Sequence, residues 1–144
     1  MAALRPACFE DAAEIARLAG ELGYPVAADA LQARLQVLLP LPQHRIVVVQ
    51  GERDGLLGWI AIERRLTLES GERIEIVGLV VDAAARGGSI GRALVADAER
   101  WALALGFDAI VVRSNVMREG SHPFYASLGY SRIKTQHMYR KGLG

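Results

Sequence analysis

The chain has 144 residues, 51% hydrophobic and 23% charged, with a net charge of +1. That length predicts one domain spanning residues 1–144, and the composition excludes disorder, which needs few apolar residues and a large net charge. The even charge balance excludes a protein that works by coating nucleic acid, and the 15 arginines against two lysines read as composition bias.

Pro6 limits an opening strand to an edge or a short piece. Asp11 to Glu14 open a helix in which Ile15, Leu18, Ala19 and Leu22 recur at helical spacing, and Gly23-Tyr24-Pro25 break it. A second helix is predicted over 27–38, with Leu31, Leu35 and Leu38 on one face and Pro40 and Pro42 stopping it. Residues 46–49 read as a buried strand, Arg53-Asp54-Gly55 as a turn and 56–66 as the return strand of a hairpin. A third strand follows over 73–81, where Gly78 marks a bulge or a close backbone approach.

The glycine-rich stretch 86–91 then opens a helix running to about residue 105, with Ile90, Leu94, Ala98, Trp101 and Leu105 as its apolar stripe and Gly106 as its C-cap. Residues 109–112 form another buried strand, 123–128 a short helix ending at Gly129, and 131–139 two short strands. The order gives a mixed α/β (α+β) fold rather than a regularly alternating parallel one.

The lone Cys8 allows no internal disulfide and no cysteine-based zinc site, and it reads as a small buried hydrophobe. His44, His122 and His137 lack metal-ligand spacing, so no metal is expected. His122 reads as a helix-entry residue, and Trp59 and Trp101 as core. No apolar run approaches the roughly 20 residues of a membrane span, and residues 1–9 do not form a signal peptide. A soluble cytoplasmic protein with neither membrane nor nucleic-acid partner is the expectation.

Chemistry concentrates where the strand ending at Val81 feeds the turn and helix that hold Gly87, Gly88 and Gly91. Glycine lets backbone approach a ligand closely, and free N–H groups at a helix start, aided by the helix dipole, attract anions. Arg86 and Arg92 add positive charge. The physical reading is a phosphate or pyrophosphate cradle, against a plain glycine-rich helix entry. A nucleotide-triphosphate loop needs a Lys-Ser/Thr pair that is missing here, and the spacing does not fit a dinucleotide fingerprint.

Leu79-Val80-Val81-Asp82 followed by Arg86-Gly87-Gly88-Ser89-Ile90-Gly91-Arg92-Ala93-Leu94 resembles motif A of the GNAT N-acetyltransferase family. Arg113-Ser114-Asn115, His122-Pro123-Phe124-Tyr125 and Leu128-Gly129-Tyr130 resemble its motif B, and the element order matches over nearly the whole chain. The resemblance implies the GNAT fold, a mostly antiparallel sheet splayed at a bulge, here beside Gly78, and flanked by helices. It also implies direct transfer of an acetyl group from acetyl-CoA, the cosubstrate, to a primary amine in a ternary complex. Leu79, Val80 and Val81 would hold pantetheine, and the amides of Arg86, Gly87, Gly88, Ser89, Ile90, Gly91 and Arg92 the pyrophosphate.

Ser89 departs from the family pattern, which has glycine there. A positive φ would strain it; otherwise its hydroxyl can cap the helix or meet a phosphate. Asn115 resembles the asparagine that contacts the pantetheine arm, with an Asx turn as the plainer alternative. By resemblance Tyr125 protonates the departing thiolate and Glu75 takes the amine proton, with Glu63 and Glu72 as weaker candidates. The plainer readings are a core aromatic beside Phe124 and a solvated glutamate paired with Arg73. Leu22 to Pro25 reads as an acceptor-side loop or as a helix–helix turn. The acceptor is a small molecule or a peptide or protein amine, and homodimers are common in the family. A non-catalytic module that binds CoA or a protein partner on the same fold is the alternative function.

Overall fold

The structure, a computed structural model, describes residues 3–87, 89–114 and 121–144, with the backbone alone at Ser121. The chain divides into two compact units, Met1–Arg113 and Ser114–Gly144.

In the first unit, β1 (Ala3–Pro6) is followed by α1 (Ala12–Glu21), α2 (Ala28–Leu38), β2 (His44–Gln50), β3 (Leu56–Thr67), β4 (Gly71–Val81), α3 (Ile90–Ala104) and β5 (Ile110–Val112). The strands form one sheet in the order β1-β2-β3-β4-β5, antiparallel except for the parallel β4–β5 pair. Pro6 lies in the edge strand, where a missing N–H costs no ladder bond.

Paired residues of neighbouring strands share a face, so the register sorts the sheet into two sides. Gly58, Ile60 and Ile62 with Val81, Leu79 and Ile76 lie beneath α3, whose Ile90 and Leu94 reach Gly58. Trp59 and Val80 lie on the other side, where Ile15 and Leu18 of α1 and Leu35 of α2 complete a core cluster. Leu18 is fully buried, and burial of such a side chain stabilises by about 1.5–3 kcal/mol.

In the second unit, α4 (Ser121–Ser127) ends where the N–H groups of Leu128 and Tyr130 both donate to the Tyr125 carbonyl, at 3.0 Å each. Residues 131–144 carry no regular secondary structure and are exposed, so the two short strands expected over 131–139 are not formed. A strand needs a partner for its ladder bonds, and residues 131–139 pair with no strand among the described residues.

Candidate active site

β4 outruns its neighbour. Only Ile74, Glu75 and Ile76 pair with β5, opposite Ile110, Val111 and Val112, while β4 continues to Val81. Residues 77–81 therefore keep an edge without a strand partner among the described residues, a template for an extended ligand. On the β3 side Ala61 faces Gly78 and Ile62 faces Ile76, which leaves Val77 as the bulged extra residue. The bulge thus sits beside Gly78, as expected. Gly78 itself supplies the close approach: a Cβ there would stand 2.8 Å from Cζ3 of Trp59.

The strand leads into a turn tied to α1. Asp82 Oδ1 accepts from the Ala84 N–H at 2.8 Å, and Arg17 of α1 donates to Asp82 Oδ2 at 3.2 Å. Arg17 also donates to Glu14 at 2.8 Å, and Glu14 accepts from the Leu56 N–H at 2.9 Å. The hydrogen bond from Arg17 holds the Glu14 carboxyl below its usual range.

Gly87 has φ +86°, a value that only glycine adopts without strain. Ser89 immediately precedes α3 at φ −96° and ψ 7°, so serine there is unstrained; its exposed hydroxyl makes no capping bond. Gly58, which the sequence reading passed over, brings the first turn of α3 onto the sheet. A Cβ there would be 2.9 Å from the Val80 carbonyl oxygen and 3.2 Å from Ile90 Cγ2. The free N–H groups at the α3 start thus lie against the end of β4. Gly91 is buried in that turn and Arg92 is exposed, whereas Arg86 Nε turns back to donate to the Val81 carbonyl at 3.3 Å. Gly88 lies outside the described residues.

Glu75 is 2% exposed. Its Oε1 accepts from Arg73 Nη2 at 3.1 Å, and its Oε2 from Arg65 Nη1 at 3.3 Å and Arg113 Nε at 3.1 Å. The expected pairing with Arg73 is present, but the side chain is buried rather than solvated, and two further arginines share it. The signal for this cluster was the hairpin register, which sets Glu63 opposite Glu75 and Arg65 opposite Arg73. Glu72 is on the other face, bound by Arg64 at 2.8 Å, and that bond lowers its pKa.

In the second unit the half-buried Tyr125 ring meets Phe124 and Tyr130 edge-on, with centroids 5.1 and 5.7 Å apart. His122 is exposed and Asn115 lies outside the described residues. Leu22 packs against the α1 cluster, while Gly23 to Pro25 are exposed. Cys8 is exposed rather than buried: it caps the 3₁₀ turn Phe9–Asp11, with its backbone N–H bound to Asp11 at 2.8 Å.

The described residues include no helix long and apolar enough to cross a membrane and no cluster of potential metal ligands. Residues 9–130 match the model of the acetyltransferase (GNAT) family. The chain belongs to the GNAT family. An aminoalkylphosphonate N-acetyltransferase of Salmonella typhimurium is 33% identical to this GNAT chain over 116 residues, 80% of this chain and 72% of the relative. The fold matches that of the aminoglycoside N-acetyltransferase AAC(6')-Iy in complex with CoA, with TM-score 0.86, 16% identity and coverage of 98% and 95% of the two chains. It matches equally a transcriptional regulator from Bacillus halodurans C-125, with TM-score 0.86, 20% identity and coverage of 98% and 100%. These likenesses give the GNAT fold, with the five-stranded mixed sheet between α1 and α2 on one side and α3 on the other.

Proposed function

We propose that this chain is an acetyl-CoA-dependent N-acetyltransferase, one catalytic domain over both units, acting on a small primary amine in a ternary complex. The observation that carries the reading is the partnerless edge of β4 over 77–81 running into the glycine-rich start of α3. Backbone groups of Leu79, Val80 and Val81 would hold pantetheine as an added strand is held, and amides from Gly87 to Arg92 the pyrophosphate. Asn115 is proposed to contact the same arm. The 33% identity to an aminoalkylphosphonate N-acetyltransferase supports a small amine as acceptor.

In the reaction the amine nitrogen forms a bond to the thioester carbonyl carbon, and the carbon–sulfur bond breaks with its electron pair going to sulfur. Tyr125 donates its hydroxyl proton to that sulfur, and the proton lost by the amine restores the balance. Glu75 acts as a positioning residue, since its carboxylate is buried and held by three guanidinium groups, and a direct base must come within hydrogen-bond reach of the amine proton. Its place on β4, four residues from Leu79, favours a second reading in which it takes the amine proton through water.

Steady-state kinetics test the assignments. Tyr125→Phe lowers kcat about 10²–10⁴-fold while acetyl-CoA binding stays within a few-fold. An unchanged kcat assigns Tyr125 to packing. Glu75→Gln raises the acceptor KM and keeps the acid limb of the kcat/KM profile if Glu75 positions the arginines. It removes that limb if Glu75 is the base.

A further inference from the structure

Glu75 is one carboxylate serving three guanidinium groups, and the imbalance points to a ligand. Arg65, Arg73, Glu63 and Glu75 share the sheet face that α1 covers further along, and Arg113 reaches the same carboxylate from just past the end of β5. Each guanidinium carries five N–H donors in a rigid fork, and the hydrogen bonds to Glu75 take one from each. Glu63 adds only a contact at 3.9 Å to Arg65 Nε. Three cations therefore face two carboxylates. Nε of Arg73 is buried and has no hydrogen-bond partner among the described residues, so the cluster holds more donors than its two carboxylates engage. The side chains of Arg65 and Arg113, 35% and 57% exposed, leave donors within reach of solvent.

The position fits an acceptor. With the pyrophosphate at the α3 start beside Val81, an extended arm on the 77–81 edge runs back along β4, so its acyl end points toward Glu75. From Leu79 to Glu75 is four residues of strand, roughly 13 Å. An acceptor whose amine meets the acyl carbon within that span can extend a second group onto the arginines. Guanidinium forks match tetrahedral oxyanions in geometry as well as charge.

We propose that Arg65, Arg73 and Arg113, held in place by Glu75, bind the phosphonate or phosphate-ester group of the acceptor amine. This rests on the N-acetyltransferase reading. It makes the arginine cluster the specificity determinant for a doubly charged oxyanion.

Two readouts test it, one of them independent of turnover. Calorimetric titration with methylphosphonate gives saturable binding that weakens about tenfold or more in Arg65→Gln and in Arg113→Gln, with melting temperatures checked to exclude unfolding. In turnover, the ratio of kcat/KM for 2-aminoethylphosphonate to that for propylamine falls at least about tenfold in each variant. O-phosphoethanolamine in place of the phosphonate separates phosphate ester from phosphonate as the preferred group. No methylphosphonate binding at about 10 mM, an unchanged substrate ratio, or a preference for β-alanine over both phosphorus compounds overturns the inference. If no amine is acetylated at all, the functional reading fails while the calorimetric readout still judges the cluster.

Discussion

At the residue scale, Ser89 carries the departure from the family motif, and its backbone decides what that departure costs. At φ −96° there is no strain for glycine to relieve, and the hydroxyl makes no capping bond for glycine to lose. Serine and glycine differ by only a few tenths of a kcal/mol at a helix N-cap. The remaining contribution is a hydroxyl free to meet a phosphate, worth about 1 kcal/mol. Ser89→Gly therefore leaves the melting temperature nearly unchanged and lowers acetyl-CoA affinity by less than about tenfold, or 1.4 kcal/mol, in calorimetric titration. A gain of more than tenfold would show that serine obstructs the cradle. The positive φ that such a turn requires is met two residues earlier, by Gly87.

At the element scale, the sheet's edge is pinned to the first helix by one ion pair. Arg5 of β1 donates from two nitrogens to Asp11 at 2.8 Å each, and Asp11 also accepts from the Cys8 N–H. The hydrogen bonds from Arg5 are the main reason that the Asp11 carboxyl is held below its ordinary value. A lowered folded pKa gives stability that is present above the unfolded pKa, about 3.9, and lost as pH falls through the folded value. Asp11→Asn should cost about 1–3 kcal/mol near neutral pH and flatten the acid limb of stability. Urea midpoints of both forms across that range check it, and parallel acid limbs would show that the pair contributes nothing. The helices and paired strands themselves were legible, because apolar spacing and Gly/Pro punctuation are local signals: α1, α2, β3 and α3 begin and end within a residue or two of their expected bounds. Three features were not. The bulge lies beside Gly78 as expected, but which residue carries it, Val77, is set by the β3 register, and register is a property of two strands. Glu75 is buried among arginines because the hairpin register sets Arg65 beside Arg73 on its face, and only the fold brings Arg113, 38 residues on, to the same carboxylate. The two strands expected over 131–139 are not formed, because the residues of one segment cannot supply the partner strand that ladder bonds require.

At the scale of the whole molecule, the edge of β4 and the start of α3 are where this GNAT chain is proposed to hold its acyl donor. A ligand that binds only the folded state stabilises it by mass action, about 2.7 kcal/mol at a hundred times its dissociation constant. Acetyl-CoA should therefore raise the melting temperature in a concentration-dependent way. Gly91→Glu should abolish the shift by placing bulk and negative charge in the buried first turn of α3. An undiminished shift in that variant would place the cofactor elsewhere. The family was readable from sequence because the motif residues on this edge and turn lie in one contiguous segment. Binding alone would also suit a non-catalytic module, so the central claim is tested by product. The protein is incubated with acetyl-CoA and a mixture of small primary amines, including 2-aminoethylphosphonate, and the mixture is analysed by mass spectrometry alongside free-thiol release. The expected result is an N-acetylated amine formed in equal amount with free CoA. Saturable binding of acetyl-CoA, with no acetylated amine and no thiol released, would contradict the assignment as an N-acetyltransferase.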